Sequence, residues 1–304
     1  MVAHPPLSQP APAGRSTTDP DNIRGILWML VSVVGASAMS VAVRELSTDV
    51  DSRMIVVLRS AIIMAGLAVA LIVLPKTRDM HFSRPGLHIL RGGLIGLSTH
   101  LGFYTLANLP LATTTVLFFT APIFATILSV IFQGERVGLR RAAAVAAGFV
   151  GAAIILRPGL QPFEPAMLAA LASSAMFAVA LTLSRGLVAA DGANSAYMSS
   201  VVITLLVSLP IAAPVWSIPS SGWAWFILGI VVVGGALRGY ADILAYAKGE
   251  ASVLAPITYL RLVLIGGSGF VFYNEVPDRP TLVGAAIIIA ATLYIARREA
   301  RLRK

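Results

Sequence analysis

Cysteine is absent from the 304 residues, which excludes disulfides, thiolate metal sites and a cysteine nucleophile. Histidine is scarce as well: His4, His81, His88 and His100 are all there are, and at most one falls deep in an apolar run. No H-E-x-x-H spacing and no glycine-rich phosphate loop occurs, so neither a zinc hydrolase nor an ATP-driven machine is written here. A membrane-embedded enzyme would need a nucleophile with a base, or metal ligands, at close helical spacing, and the chain offers neither. Charge is the third shortage. At 12% charged against 57% hydrophobic, with mean hydropathy +0.83, there is too little polar surface to cover a soluble globule of this length.

Apolar runs fill the space these absences leave. About 20 apolar residues cross a bilayer as a helix, and ten segments qualify. They run over Gly25 to Val43, Met54 to Leu74, Leu87 to Leu106, Ala112 to Phe132, Arg141 to Leu156, Pro165 to Leu183, Tyr197 to Trp216, Trp223 to Ala247, Ala251 to Tyr273 and Thr281 to Ile295. Residues 1–22, rich in Pro, Ala and Ser, read as a disordered cytoplasmic tail and not as a signal peptide, and 299–304 as a basic cytoplasmic tail. The net charge of +9 sits in short clusters between the spans and forms no stripe for nucleic acid. Counted over alternate loops, one side holds sixteen Lys and Arg and the other four, which predicts both termini on the inside. Twenty arginines against three lysines fit a GC-rich bacterial genome, hence a multi-pass protein of a bacterial inner membrane.

Half the chain is written twice. Phe132, Gln133, Gly134 and Glu135 close the fourth span, and Phe272, Tyr273, Asn274 and Glu275 close the ninth, 140 residues later. On that offset Ala107 falls on Ala247 and His100 on Tyr240. The expected halves are 23–158 and 159–298. Five helices each is an odd number, so the second half enters the membrane upside down. The reading is an all-α polytopic membrane protein, ten transmembrane helices as two inverted five-helix repeats around a central cavity, with alternating access by exchange of conformation between the halves.

The two near-GE helix ends, the segment AAAVAAGFVGAAIILRPG at Ala142 to Gly159 and the Leu58, Arg59, Ser60 motif resemble the EamA-type branch of the drug/metabolite transporter superfamily, and within it the YddG-like amino acid exporters. The resemblance covers Arg24 to Ala296. It implies a basket of ten helices, with the first, third, fourth, sixth, eighth and ninth lining the cavity and the fifth and tenth peripheral. It also implies a proline hinge in the fourth and ninth helices. Pro122 meets Leu262 on the 140 offset, with Pro256 displaced, so the hinge is expected to be asymmetric here.

Candidate site residues follow from cost. An arginine at bilayer centre is expensive unless it faces protein or water. Arg261 therefore either grips a substrate carboxylate or pairs with an acid on a neighbouring helix. Asp242 is the acid well inside a span, and Arg238 four residues earlier can neutralise it; the alternative is a substrate ammonium or a proton. His100 and Tyr240 stand at matched positions, Tyr104 follows His100 by a turn, and Tyr246 shares the Asp242 face. His100 either titrates or packs. Phe118, Phe119, Met176, Phe177 and Tyr259 form an aromatic wall or ordinary packing. Arg59 is expected to reach the headgroups, and Glu135 and Glu275 to cap helix ends beside Arg136 or Arg279.

The expected function is export of amino acids or similar small zwitterionic metabolites by a functional monomer in the lipid bilayer, without cofactor or metal. Efflux of lipophilic drugs and exchange of anionic or phosphorylated metabolites are the alternatives. A cationic cargo fits poorly with three arginines inside the spans. An anionic one asks for more convergent cations than Arg261 and Arg238.

Overall fold

The computed structural model describes residues 21–73, 80–133, 139–157, 164–249 and 251–302, and among them every regular element is helical. Asp21 opens α1 (Asn22–Leu46) by accepting from the Arg24 N–H at 3.1 Å. Then come α2 (Ser52–Val73), α3 (Pro85–Asn108), α4 (Leu111–Phe118), α5 (Ala121–Gln133) and α6 (Leu139–Leu156). The second half holds α7 (Pro165–Ala212), α8 (Gly222–Lys248), α9 (Ala251–Thr258), α10 (Leu260–Tyr273) and α11 (Arg279–Leu302). Proline at the first position starts α3 and α7, where a missing N–H costs nothing. Ser221 caps α8 through the Ala224 N–H.

α7 is two spans in one run, bent at Gly192, whose φ of 82° suits glycine. Two other spans are broken: α4 and α5 form one, α9 and α10 another. With these joined and α7 divided, ten rods result. Six stretches are long and apolar enough to cross a membrane, and Ala142–Leu156, Leu260–Tyr273 and Arg279–Ile295 are shorter apolar helices. The remaining rod, α3, is more polar, carrying His88, Arg91, His100 and Asn108.

The first break has a covalent cause. Pro122 lacks the N–H that would reach the Phe118 carbonyl, and the backbone turns at Phe119 and Thr120. Thr120 Oγ1 donates to the Leu117 carbonyl at 2.6 Å, and Ser174 of α7 donates to the same oxygen at 3.2 Å. The second break falls at Tyr259. On the 140-residue offset Phe119 corresponds to Tyr259, so the breaks coincide although the prolines do not. The asymmetric hinge expected from Pro256 is corrected to a matched pair.

The halves interlock. α1 packs along α8, α3 along α7, and α6 along α11. Where α1 crosses α8, Gly35 and Gly234 bring the backbones together: a Cβ on Gly234 would stand 2.7 Å from the Gly35 carbonyl oxygen. One apolar core joins α1, α2, α3 and α8 through Val43, Ile55, Phe103 and Leu228, and another joins α4, α5, α6 and α11 through Leu117, Ile123, Ile155 and Ile288.

At the end opposite the termini, Asn274 stops α10 in the left-handed conformation, φ 52°, with the Glu275 N–H returning to the Gly269 carbonyl. This turn carries the Glu275 side chain to the start of α4. Its Oε2 accepts from the Leu111 N–H at 2.7 Å and its Oε1 lies 3.5 Å from Arg44 Nη2. The expected partner Arg279 is thus replaced by Arg44 and by the positive end of a helix from the other half. Arg44 also donates to the Ala107 carbonyl at 2.6 Å. Glu135 and Arg136 lie outside the described residues.

At the other end, His88 of α3 is buried between Asp191 Oδ2 (2.9 Å) and Ser199 Oγ (2.8 Å) of α7. Arg91 donates to Ser184 Oγ and to the Ala196 carbonyl. Arg91, one of the sixteen Lys and Arg counted on the inner side, is thus buried in the protein interior.

Candidate functional site

Polar groups converge where α1, α2, α7, α8 and α10 face one another. Asp242 stands on the inward face of α8. Ser37 and Ser40 of α1 turn back to carbonyls of their own helix, whereas Ser32 reaches across and donates to Asp242 Oδ1. Arg238, one turn before, brings its Nε to 3.9 Å from Asp242 Oδ2 and its guanidinium to 5.7 Å over the Phe177 ring of α7. Arg261 projects from α10 into the fields of both Asp242 and Arg238. Its Nε is buried and has no hydrogen-bond partner among the described residues.

Arg59 completes the set, and its position corrects the expectation that it reaches the headgroups. Its guanidinium lies inward, 5.8 Å over the Phe103 ring and against Gly235 of α8. A Cβ on Gly235 would stand 2.4 Å from Arg59 Nε, so this glycine is the notch that admits the side chain. Arg238 is thus the guanidinium beside Asp242, Arg261 lies near that pair, and Arg59 faces inward two turns away at Gly235. In hydrocarbon each would be costly, and each instead faces protein.

The other expected residues are dispersed. Tyr240 meets Tyr197 edge to face, 6.1 Å between ring centroids, but lies on the exposed stripe Phe226, Val233, Leu237, Tyr240. Tyr104 similarly follows Leu90 and Leu97 on the exposed face of α3. His100 is buried, its Nε2 2.8 Å from Ser208 Oγ. Ser208 spends its own hydrogen on the Thr204 carbonyl, so the proton of that contact sits on Nε2. Nδ1 has no partner among the described residues. Tyr259 meets Phe119 with the rings tilted by 52°, 4.9 Å between centroids, and its hydroxyl bonds Thr292 Oγ1 of α11. Phe118 is half-buried beside this break, joining both cores. Met176 is half-buried on α7, next to Phe177. The Tyr246 side chain lies outside the described residues.

Sequence reasoning missed Ser32, Tyr197 and the inward course of Arg59. A serine in an apolar helix carries no mark of which neighbour it faces. The signal available for Arg59 was Gly235, the small residue it packs against on α8, a helix that runs parallel to α2.

Comparison with known proteins comes to the same architecture. The model of the EamA-like transporter family matches twice, over residues 23–157 and 164–297. The S-adenosylmethionine uptake transporter of Rickettsia bellii is 33% identical over 90% of this chain and 94% of its own. The riboflavin transporter of Vibrio cholerae is 27% identical over 92% and 95%, and the pseudopaline exporter CntI of Pseudomonas aeruginosa 26% identical over 90% and 96%. A solved crystal structure superposes with a TM-score of 0.61 at 20% identity, covering 93% of this chain and 100% of that one, a likeness of fold.

Proposed function

The chain belongs to the EamA-like transporter family, a multi-pass membrane transporter and not an enzyme, and on that premise we propose that it carries amino acids or similar small zwitterionic metabolites, exporting them from the cytoplasm. The observation that carries this reading is the grouping of Arg261, Arg238 and Asp242 between α1, α8 and α10. A guanidinium grips a carboxylate through paired N–H donors, and a carboxylate receives an ammonium. The two ends of an α-amino acid ask for that combination. The name of the Rickettsia bellii relative adds support, since S-adenosylmethionine carries the amino-acid end of methionine.

Residues 23–158 and 159–298 are the two inverted repeats in this reading, and their exchange of conformation turns the shared site from one side of the bacterial inner membrane to the other. Both termini are cytoplasmic, on the Lys and Arg count. One chain supplies both repeats, so the functional unit is a monomer and the partners are the solute and the bilayer. Tyr259, Phe118 and Met176 form the apolar wall in this reading. Tyr104, His100, Tyr240 and Tyr246 stand at its edge.

The test is counterflow into liposomes holding purified protein, with labelled neutral L-amino acids and S-adenosylmethionine. Accumulation of an unchanged amino acid supports the reading. Transport of riboflavin with no amino acid carried would replace it.

A further inference from the structure

A seam of hydrogen bonds joins α3 to both spans of α7 along the length of the helix. Where α3 begins, the Ser83 N–H donates to Asp191 Oδ1 and the His81 N–H to Ser195 Oγ, both at 3.0 Å. His88 stands between Asp191 and Ser199, and Arg91 donates to Ser184 and to the Ala196 carbonyl. Halfway along, the bonds are reciprocal: Ser98 Oγ donates to the Ser173 carbonyl at 2.9 Å, and Ser173 Oγ to the Ser98 carbonyl at 2.7 Å. Further on, His100 meets Ser208, and Thr105 Oγ1 donates to the Ala166 carbonyl at 3.2 Å. A slide of about 1 Å would break these bonds together and strand His88, Arg91 and Asp191 among apolar residues.

Towards α2 and α8 the contacts are of another kind. Arg59 of α2 lies 5.8 Å over Phe103 of α3, Arg238 of α8 lies 5.7 Å over Phe177 of α7, and Tyr240 of α8 meets Tyr197 of α7 at 6.1 Å. Ring faces keep their attraction through shifts that end a hydrogen bond. At the far end of α3, Arg44 of α1 clasps the Ala107 carbonyl.

On the 140-residue offset α3 corresponds to α8, and the first span of α7 to α1. α3 on α7 and α8 on α1 are thus one contact written twice. The second is as close as the first: beside the Gly35 and Gly234 crossing, a Cβ on Gly25 would stand 2.7 Å from Gly249 Cα, and Ser32 bonds Asp242.

We propose that α3, a helix of the first repeat, moves as one body with α7 of the second, and that α8 likewise moves with α1. Each moving body then draws on both repeats, and the boundary that opens runs between the two pairs. Arg238 and Tyr240 face Phe177 and Tyr197 across it, where a solute must be exposed first to one side and then to the other. The inference holds whichever solute is carried.

The test is cross-linking in a chain that has no thiol of its own. Ser98 Oγ and Ser173 Oγ are 3.1 Å apart, so Ser98→Cys with Ser173→Cys is within reach of a disulfide. Oxidised with copper phenanthroline, it should keep counterflow within about twofold of its reduced form, read on whichever amino acid, S-adenosylmethionine or riboflavin the unlinked protein carries. Arg44→Cys with Ala107→Cys, bridged by a bifunctional methanethiosulfonate, ties α1 to α3 across the boundary. Counterflow should then fall by about tenfold or more and return on reduction. Arrest by the disulfide, or undiminished counterflow with the bridge in place, overturns the proposal.

Spin-label distances in nanodiscs read the same bodies without any solute. Gly86→Cys and Leu168→Cys, exposed at opposite ends of the α3 and α7 pair, should give one narrow distance. Gly86→Cys and Thr48→Cys, which span the boundary to the end of α1, should give a broad or double one. Equal widths, narrow or broad, overturn the proposal. Counterflow of another solute with no amino acid carried overturns the amino acid reading instead, and the cross-links are then read on that solute.

Discussion

Phe119 and Tyr259 stand 140 residues apart in the chain and 4.9 Å apart, ring centroid to ring centroid, in the fold. They occupy the same position in the two repeats, each at the break of its helix. An axis that exchanges the halves must pass close to a contact between equivalent residues. The two rings therefore lie close to the axis that relates the repeats, with Arg261 two residues beyond Tyr259 on α10.

Truncating that contact should loosen the whole molecule. Phe119→Ala removes a ring from the core shared with Leu117 and Ile123 and should cost about 2 kcal/mol or more. Tyr259→Phe, which loses the bond to Thr292, should cost about 1 kcal/mol. Thermal unfolding in detergent reads both. An unchanged midpoint for Phe119→Ala would show that the rings merely touch.

Glu275 fastens the second repeat to the start of α4 in the first. Glu275→Gln keeps the shape and loses the charge facing Arg44 and the helix end, a loss of about 1–3 kcal/mol. The chain has no cysteine, so a single Ala112→Cys, buried in α4, reports opening without background. Thiol labelling at this position should rise in the Glu275→Gln protein. Equal labelling in both would deny Glu275 a part in holding that end closed.

Ser32 orients Asp242 from across the α1 to α8 contact. Ser32→Ala should leave the fold intact and weaken the apparent affinity for the ammonium-bearing solute by about tenfold. Loss of the ammonium from the solute should cost the mutant less than wild type. Equal penalties would uncouple Ser32 from recognition.

Outside the membrane, Asp278 opens α11 by accepting from the Thr281 N–H at 3.0 Å and also pairs with Arg157. The hydrogen bond from Thr281 and then the Arg157 guanidinium hold its carboxyl down to about 2, against an ordinary 3.8. A depressed carboxylate contributes stability fully above the ordinary value and loses it as pH falls toward 2. Asp278→Asn should therefore lower the melting midpoint equally at pH 5 and pH 8, and by less near pH 2. A penalty that vanishes between pH 8 and pH 5 would contradict this.

Much of the architecture is legible in the sequence, because hydrocarbon leaves the backbone few choices and apolar length reports spans directly. The repeat signature also carries its structural reason. Gly134 and Asn274 match on the offset, both residue types accept left-handed backbone, and Asn274 adopts it to aim Glu275. Partners were less legible. Depth along a helix follows from counting, but the azimuth of Arg59 depended on a gap on α8 that only packing reveals. Glu275 was placed correctly at a helix end, yet the helix it serves belongs to the other repeat.

Binding of an α-amino carboxylate through Arg261 is most directly tested by counterflow of labelled L-amino acids in liposomes with wild type, Arg261→Gln and Arg261→Lys. The account predicts transport by wild type, loss of roughly tenfold to a hundredfold in apparent affinity for Arg261→Gln and partial recovery in Arg261→Lys, with unfolding midpoints close to wild type. Wild-type affinity in the Arg261→Gln protein would contradict it and return Arg261 to a structural role.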